Sequence, residues 1–417
     1  MANPIFRGDA RGVAQVDTYQ ITVAGAAGTI WTITINNKFE KYTVISGDTV
    51  QTVAAAIAAL LAASSQPEFR EIAWTVSTTA SDTVVATGSA NGDPFTVTSF
   101  VNNGAGTQTH TAVTVPTGPN WWSEPTNWST GAIPVSTDNV YLQDCTTDIK
   151  YGLGQGAVTL ATLNIAGSYT GKIGLPNFTG PNGYYEYRAK ELAISATVCN
   201  IGYGAGSSSG MIRINLGANA CTLTVSNLAS PAVTGYPALL IQGSHASNVA
   251  YFYKGRIGMA FFALDTANFP IINVGSIDNP NSDVNLYVGV GASTITTLNQ
   301  IGGDVTVNCS VTNWTKTAGK STILLTATVT TLIADGKGAF HWDSSGTIST
   351  ATFRNGAQLD NTRDDRAKTL TNSTFIAGGY FTFAFKNVTF TNPAMVDSQS
   401  LPLCSYGNGQ FHLTLAA

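Results

Sequence analysis

Between Ile295 and Asp360 apolar and polar positions alternate in four successive segments: "ITTLNQIGGDVTVNCS", "VTNWTKTAGKSTILLTAT", "VTTLIADGKGAFHWDSSG" and "ISTATFRNGAQLD". They start at Ile295, Val311, Val329 and Ile348, at intervals of 16, 18 and 19 residues. Period-2 alternation marks half-buried strands, and a unit that returns at a nearly fixed interval marks stacked copies of one turn of chain. A glycine falls eight residues after the start in three segments, at Gly303, Gly319 and Gly356; Gly336 and Gly338 bracket that position in the remaining one. Glycine there supplies a corner, where a side chain would collide or φ must be positive. The pattern predicts that the four starting residues stack in one column. "VTLATLNIAGSYTGKIGL" at 158–175 follows the same logic upstream, its apolar run ending at Gly167. The expected architecture is mainly β: a right-handed parallel β-helix, or solenoid, occupying 138–417 together with its C-terminal end. Its rungs run over about 138–400, and at roughly 20 residues per rung there are about 13 of them, about 60 Å in length. A stack of β-sandwiches is the competing arrangement.

Upstream the pattern changes. From 17 to 115, "TYQITV", "TIWTITIN" and "EKYTVIS" alternate as strands, and "EIAWTVST", "TVVATG" and "FTVTSF" do so again. Between them "GDTVQTVAAAIAALLAAS" carries Val50, Val53, Ala54, Ile57, Leu60 and Leu61 at helical spacing, with Asp48 or Thr49 as its cap. This predicts a small α+β docking domain whose helix covers a sheet. Residues 1–16 hold Pro4, Gly8 and Gly12 and no periodicity, and so predict an extended arm that gains order only against a partner. Ile5 and Phe6 are its candidate anchors, with Arg7 and Arg11 available to acidic groups. The "RGD" at Arg7–Asp9 matches an integrin tripeptide, a match common by chance. Residues 116–137 are a proline-rich linker with Trp121, Trp122 and Trp128. An open solenoid end exposes apolar core and unpaired strand edges, so these tryptophans are expected to cap it. A sugar-stacking platform is the alternative.

Composition narrows the function. Only 11% of residues are charged, against roughly 25% in ordinary globular domains, which suits a surface partly covered by neighbouring subunits. The formal net charge of −4, without a basic patch, argues against nucleic acid. No stretch approaches the ~20 apolar residues of a membrane span, and the start lacks the apolar core of a secretory signal. Cys145, Cys199, Cys221, Cys309 and Cys404 are scattered and read as buried, reduced thiols. All six glutamates (Glu40, Glu68, Glu71, Glu124, Glu186, Glu191) precede residue 192, so the repeats offer only aspartates for acid–base work. The densest cluster, "LDNTRDDRAK" with Asp360, Arg363, Asp364, Asp365 and Arg366, reads as an exposed insert whose charges neutralise one another. "DNPNSD" at 278–283 lacks the glycine and final glutamate of a calcium loop. "GYGAGSSSG" at 202–210 lacks the GK[ST] of a phosphate loop, and no HExxH or GxSxG occurs. No catalytic residue, cofactor or metal is expected, and the chain reads as a non-enzyme.

The order "FRGDARGVAQVDTYQITV", "NWSTGAIPVSTDNV", "YGLGQGAVTLATLNIAGSYTGKIGLP" and "GYYEYR" resembles a family of bacteriophage and prophage virion structural proteins. The resemblance covers most of the chain. It implies a virion component assembled in the host cytoplasm, with the major capsid protein or other virion proteins as partners. It also implies a homo-oligomer, for which a trimer is one form. Capsid decoration, cementing the head, is the leading role, and no catalytic residue carries over. The domain at 17–115 also resembles modules of phage tail proteins. That keeps a second role open, a tailspike-like receptor binder that degrades polysaccharide. Such a protein should gather Asp/Glu and exposed aromatics on one face, and the sequence shows no clear cluster.

Overall fold

The computed structural model describes residues 2–174, 191–206, 211–228, 236–277, 283–336, 338–376, 381–384, 387–392, 395–396 and 404–405. The chain is mainly β, with one long parallel sheet and a smaller antiparallel unit. In the parallel region two ladders interleave. One runs through Asn139–Leu142, Gly154–Ala166, Leu192–Tyr203, Thr222–Val225, Val249–Phe252, Ile271–Val274, Ile295–Gln300, Val311–Lys316, Val329–Asp335, Thr347–Arg354 and Lys368–Phe375. The other runs through Ile212–Asn215, Leu239–Gln242, Gly255–Met259, Val284–Val288, Asp304–Val307, Lys320–Leu325, Ala339–Ser344 and Gln358–Asp360. Each strand pairs with the next strand of its own ladder, and the two ladders join where Leu192 and Ala193, at the start of Leu192–Tyr203, pair with Ile214 and Asn215.

The repeat read from the sequence falls into register. Ile295 pairs with Val311, Val311 with Val329, Val329 with Ile348, and Ile348 with Leu370. All five side chains are buried, each adding about 1.5–3 kcal/mol of burial. Three residues on from Val311 the same ladder places Trp314 between Leu298 and Leu332, and its ring meets Phe340 edge-on at 5.1 Å. One apolar cluster runs from Phe6 and Trp122 to Phe375. The corner glycines stack as well. Gly303, Gly319 and Gly338 have φ of 71°, 79° and 109°. A Cβ on Gly319 would overlap the Gly303 carbonyl oxygen, and one on Gly338 would overlap that of Gly319. Each corner thus sits directly on the backbone of the one before.

Polar groups enter this core at the same corner. Gln300, buried, donates to the carbonyls of Gly303 (3.0 Å) and Lys320 (2.9 Å) and accepts from Ser321 (2.6 Å). Its register partner Lys316 is 1% exposed and donates to the Gly338 carbonyl at 2.8 Å. Burial pulls the Lys316 ammonium down to about 8.

The N-terminal residues are not a free arm. Ile5–Phe6 forms a parallel pair with Tyr141 and Leu142. Ala2 N–H donates to Asp138, Arg7 N–H to the Asn127 carbonyl, and Ala10 N–H to the buried Asn127 side chain. Phe6 is 1% exposed and meets Trp128 edge-on at 5.3 Å. This corrects its assignment as an anchor for another protein: its partner is the chain's own first parallel strand, and burial withdraws it. Ile5 is half-buried, while Arg7 and Arg11 remain exposed. Trp122 and Trp128 are buried in contact at 4.8 Å, with Trp128 Nε1 donating to the Trp122 carbonyl. Trp121 is half-buried, lies 5.2 Å from Tyr151, and donates to the Gly92 carbonyl, tying the two regions together.

The smaller unit has two antiparallel sheets. One orders Ala73–Val76, Thr83–Thr87, Val16–Val23 and Thr107–Thr114; the other orders Lys38–Thr43, Ile30–Ile35 and Ser99–Asn103. The helix, Val50–Ala62, is capped reciprocally by Thr49 and Thr52, which satisfies two otherwise orphaned N–H groups. It buries Val53, Ala54, Ile57, Ala58 and Leu61 against both sheets. Leu60 stays half-buried at the stripe's edge.

Candidate functional site

The outward face of the second ladder carries a column that the sequence does not announce. Gly154 pairs with Ala193, Ala193 with Asn215, and Asn215 with Gln242. Side chains two apart on a strand share a face, so Glu191 and Arg213, two residues before Ala193 and Asn215, join the same surface. Asp265 reaches it from the turn after Gly255–Met259. Arg213 is the centre. Its Nε donates to Glu191 at 3.0 Å and its Nη2 to Asp265 at 3.0 Å. Gln242 donates to the same two carboxylates, at 2.7 and 3.2 Å. Asn215 donates to the other Glu191 oxygen at 3.3 Å, and Phe262 N–H donates to the second Asp265 oxygen at 3.3 Å. The guanidinium lies 4.8 Å from the Phe262 ring centre, in an aromatic group with Tyr236, Phe261 and Tyr287.

Two features separate this cluster from a plain ion pair. Arg213 is 7% exposed, yet its Nη1 has no hydrogen-bond partner. A buried donor left unpaired costs about 1–3 kcal/mol. The cluster also lines an open cavity of 390 Å³, floored by Gly154 and Ala193 and rimmed by Leu264. Two carboxylates against one guanidinium leave one net negative charge. The glutamate in question is the last of the six in the sequence. Arg213 sits between two isoleucines in "MIRIN", and a charge inside a strand's apolar run was the one signal available.

The "LDNTRDDRAK" segment is a second cluster: it is the exposed, internally paired loop that the sequence leads one to expect, and it also reaches back onto the sheet. Arg366 pairs with Asp364 at 2.7 Å and donates to the carbonyls of Leu325 (2.8 Å) and Asp343 (2.6 Å), which lie in earlier strands. Lys368 is buried and donates to the carbonyls of Asp364 and Arg366. The segment is a staple across the sheet. Beside it, His341 and Asp360 are register partners 3.3 Å apart, and Arg363 pairs with Asp343 at 3.3 Å. Burial raises the Asp343 carboxyl and lowers the His341 imidazole. Burial also pushes Asp360 upward, but hydrogen bonds from Thr362 overcome it and hold Asp360 below the usual range. Two carboxyls pushed apart beside a neutral imidazole are acid–base material, but here Arg363 and the staple occupy them.

The structure does not bring the anchoring candidates Ile5, Phe6, Arg7 and Arg11 together with the Arg213 cluster. Cys145, Cys199, Cys221 and Cys309 are free and buried. Burial pushes the Cys221 and Cys309 thiols up to about 12, which keeps them protonated and unreactive. Glu186, "GYYEYR", residues 207–210 and 278–282, His412 and the Cys404 side chain lie outside the described residues. Among the described residues, no group of three or more His, Cys, Asp or Glu could hold a metal ion, and no helix is long and apolar enough to cross a membrane. No family model, no curated protein and no solved structure matches the chain.

Proposed function

We propose that the parallel region is a right-handed parallel β-helix and that the protein is a non-enzymatic virion component, most simply a capsid decoration protein. Parallel crossovers in one sheet are right-handed in about 98% of cases, which supports the handedness. The observation that carries the role is how the chain is closed and left open. Its own N-terminal strand and Trp122–Trp128 close one end of the core. The attached antiparallel unit keeps an unpaired edge strand, Thr107–Thr114, most of whose residues are exposed. A rigid body with one sealed end and a module bearing an open edge suits addition to a larger assembly. In this reading the module, with Arg7 and Arg11 beside it, makes the particle contact, in a homo-oligomer or with the major capsid protein. Mass spectrometry of gradient-purified particles from a strain encoding the chain tests it. Expected is a stoichiometric band that image reconstruction places on the head; absence from the particles sinks it. A tail-associated receptor-binding role is the second reading. The Arg213 cavity favours it, because two carboxylates line it and Phe262 packs against the guanidinium behind them.

A further inference from the structure

We propose that the notch beside Arg213 binds a neutral saccharide. The floor of the notch carries nothing larger than a methyl: Gly154 and Ala193 are register partners, and nothing lies within 4 Å of a Cβ built on Gly154. The wall is polar and held in place. Glu191, Gln242 and Asp265 are fixed by mutual hydrogen bonds around Arg213, so their remaining lone pairs are preorganised. A pyranose offers closely spaced hydroxyls along its edge, which such carboxylates and amides accept and donate to in pairs. It also offers apolar C–H faces. Leu264 at the rim is 95% exposed, an apolar side chain that adds little to the fold and is placed to meet such a face.

Charge selects the ligand class. The guanidinium is already engaged by two carboxylates, and the cluster keeps one net negative charge. A sugar acid or a phosphate would meet that charge in a partly dry site, where like charges repel strongly. A wholly apolar ligand would leave the polar wall without water or partner. A sugar hydroxyl would instead bond the carboxylate and amide groups of Glu191, Gln242 and Asp265 that line the cavity. The cavity of 390 Å³ sits at the small end of the roughly 300–1,000 Å³ typical of ligand sites, suiting one or two sugar rings. The act is binding alone, and no bond is made or broken.

The test is calorimetric titration of the full chain, with ligand-observed NMR. The probes are glucose, galactose, mannose, N-acetylglucosamine and their short oligomers, with galacturonate and inorganic phosphate as anionic controls. Expected is binding of a neutral sugar with a Kd of about 1 mM or tighter, weakened about tenfold or more in Gly154→Leu. That substitution enters open space on backbone of ordinary φ, so its melting temperature should match the wild type. Leu264→Asp is the second variant and should weaken binding as well. The proposal is overturned if no neutral sugar binds, if the anions bind more tightly, or if Gly154→Leu binds unchanged. The particle analysis and this titration fail independently, since the chain can reside in a virion without binding sugar and bind sugar outside one.

Discussion

The upstream and downstream halves of the parallel region both place cations where water is scarce, and they answer the problem differently. Downstream, the buried Lys316 and Lys368 donate to backbone carbonyls, Lys316 to that of Gly338 and Lys368 to those of Asp364 and Arg366 in the loop before its strand. The tight repeat brings those carbonyls within reach and leaves the groups no outward task. Upstream, Arg213 is answered by two side-chain carboxylates, beside an opening in the face. Cations tied to backbone hold the fold together. A cation tied to carboxylates, with one nitrogen unpartnered, leaves chemistry for something else to complete.

The comparison can be broken experimentally. The largest effect is expected upstream. Arg213→Ala strands two carboxylates in a dry cluster and should cost about 3–5 kcal/mol in denaturant unfolding; a loss near zero would mean that water already solvates the cluster. Glycine substitutions separate the halves next. Gly319→Ala must adopt φ near 79° and push into the Gly303 carbonyl, costing about 3 kcal/mol. Gly154→Ala should lie within about 0.5 kcal/mol of wild type. Equal costs would deny that the two glycine positions differ.

A pH series on Lys316→Met comes third. The folded Lys316 ammonium titrates at about 8 and the unfolded one near 10.4. Below about pH 8 both states bind the proton and burial of the charge is fully felt. Between about 8 and 10.4 only the unfolded chain keeps it, so the wild type gains relative to the variant as pH rises, by about 2–3 kcal/mol. Measuring the difference between the two proteins matters, because the buried thiols act the other way: their raised values lose stability as pH climbs past about 8.5. A flat difference would place Lys316 in water. The smallest effect is Arg366→Ala, expected to cost about 1 kcal/mol, since its side chain is partly exposed and its bonds are individually modest.

The same contrast explains what the sequence disclosed. Ile295, Val311, Val329 and Ile348 recur at short, similar intervals because little chain separates one strand from the next, so the register was legible. Upstream, Leu163, Cys199, Leu223, Ala250, Ile272 and Leu298 succeed one another in the same ladder at uneven intervals, and loops of unequal length hide the period. The cavity was hidden for that reason: Gly154, Glu191, Arg213, Gln242 and Asp265 meet only through register. Phe6 escaped differently. A two-residue strand has no periodicity, and its partner Trp128 lies far along the chain.

The N-terminal strand also fixes the wiring of the whole molecule. Val13 and Thr117 bridge antiparallel, exchanging hydrogen bonds of 2.8 and 3.3 Å, where the chain leaves for the antiparallel unit and where it returns. That unit is therefore an insertion between the first two strands of the parallel sheet, entering and leaving through one doorway. Whatever replaces it need only begin and end at two adjacent points, so a lineage could exchange the antiparallel unit wholesale while the sheet beneath kept every register.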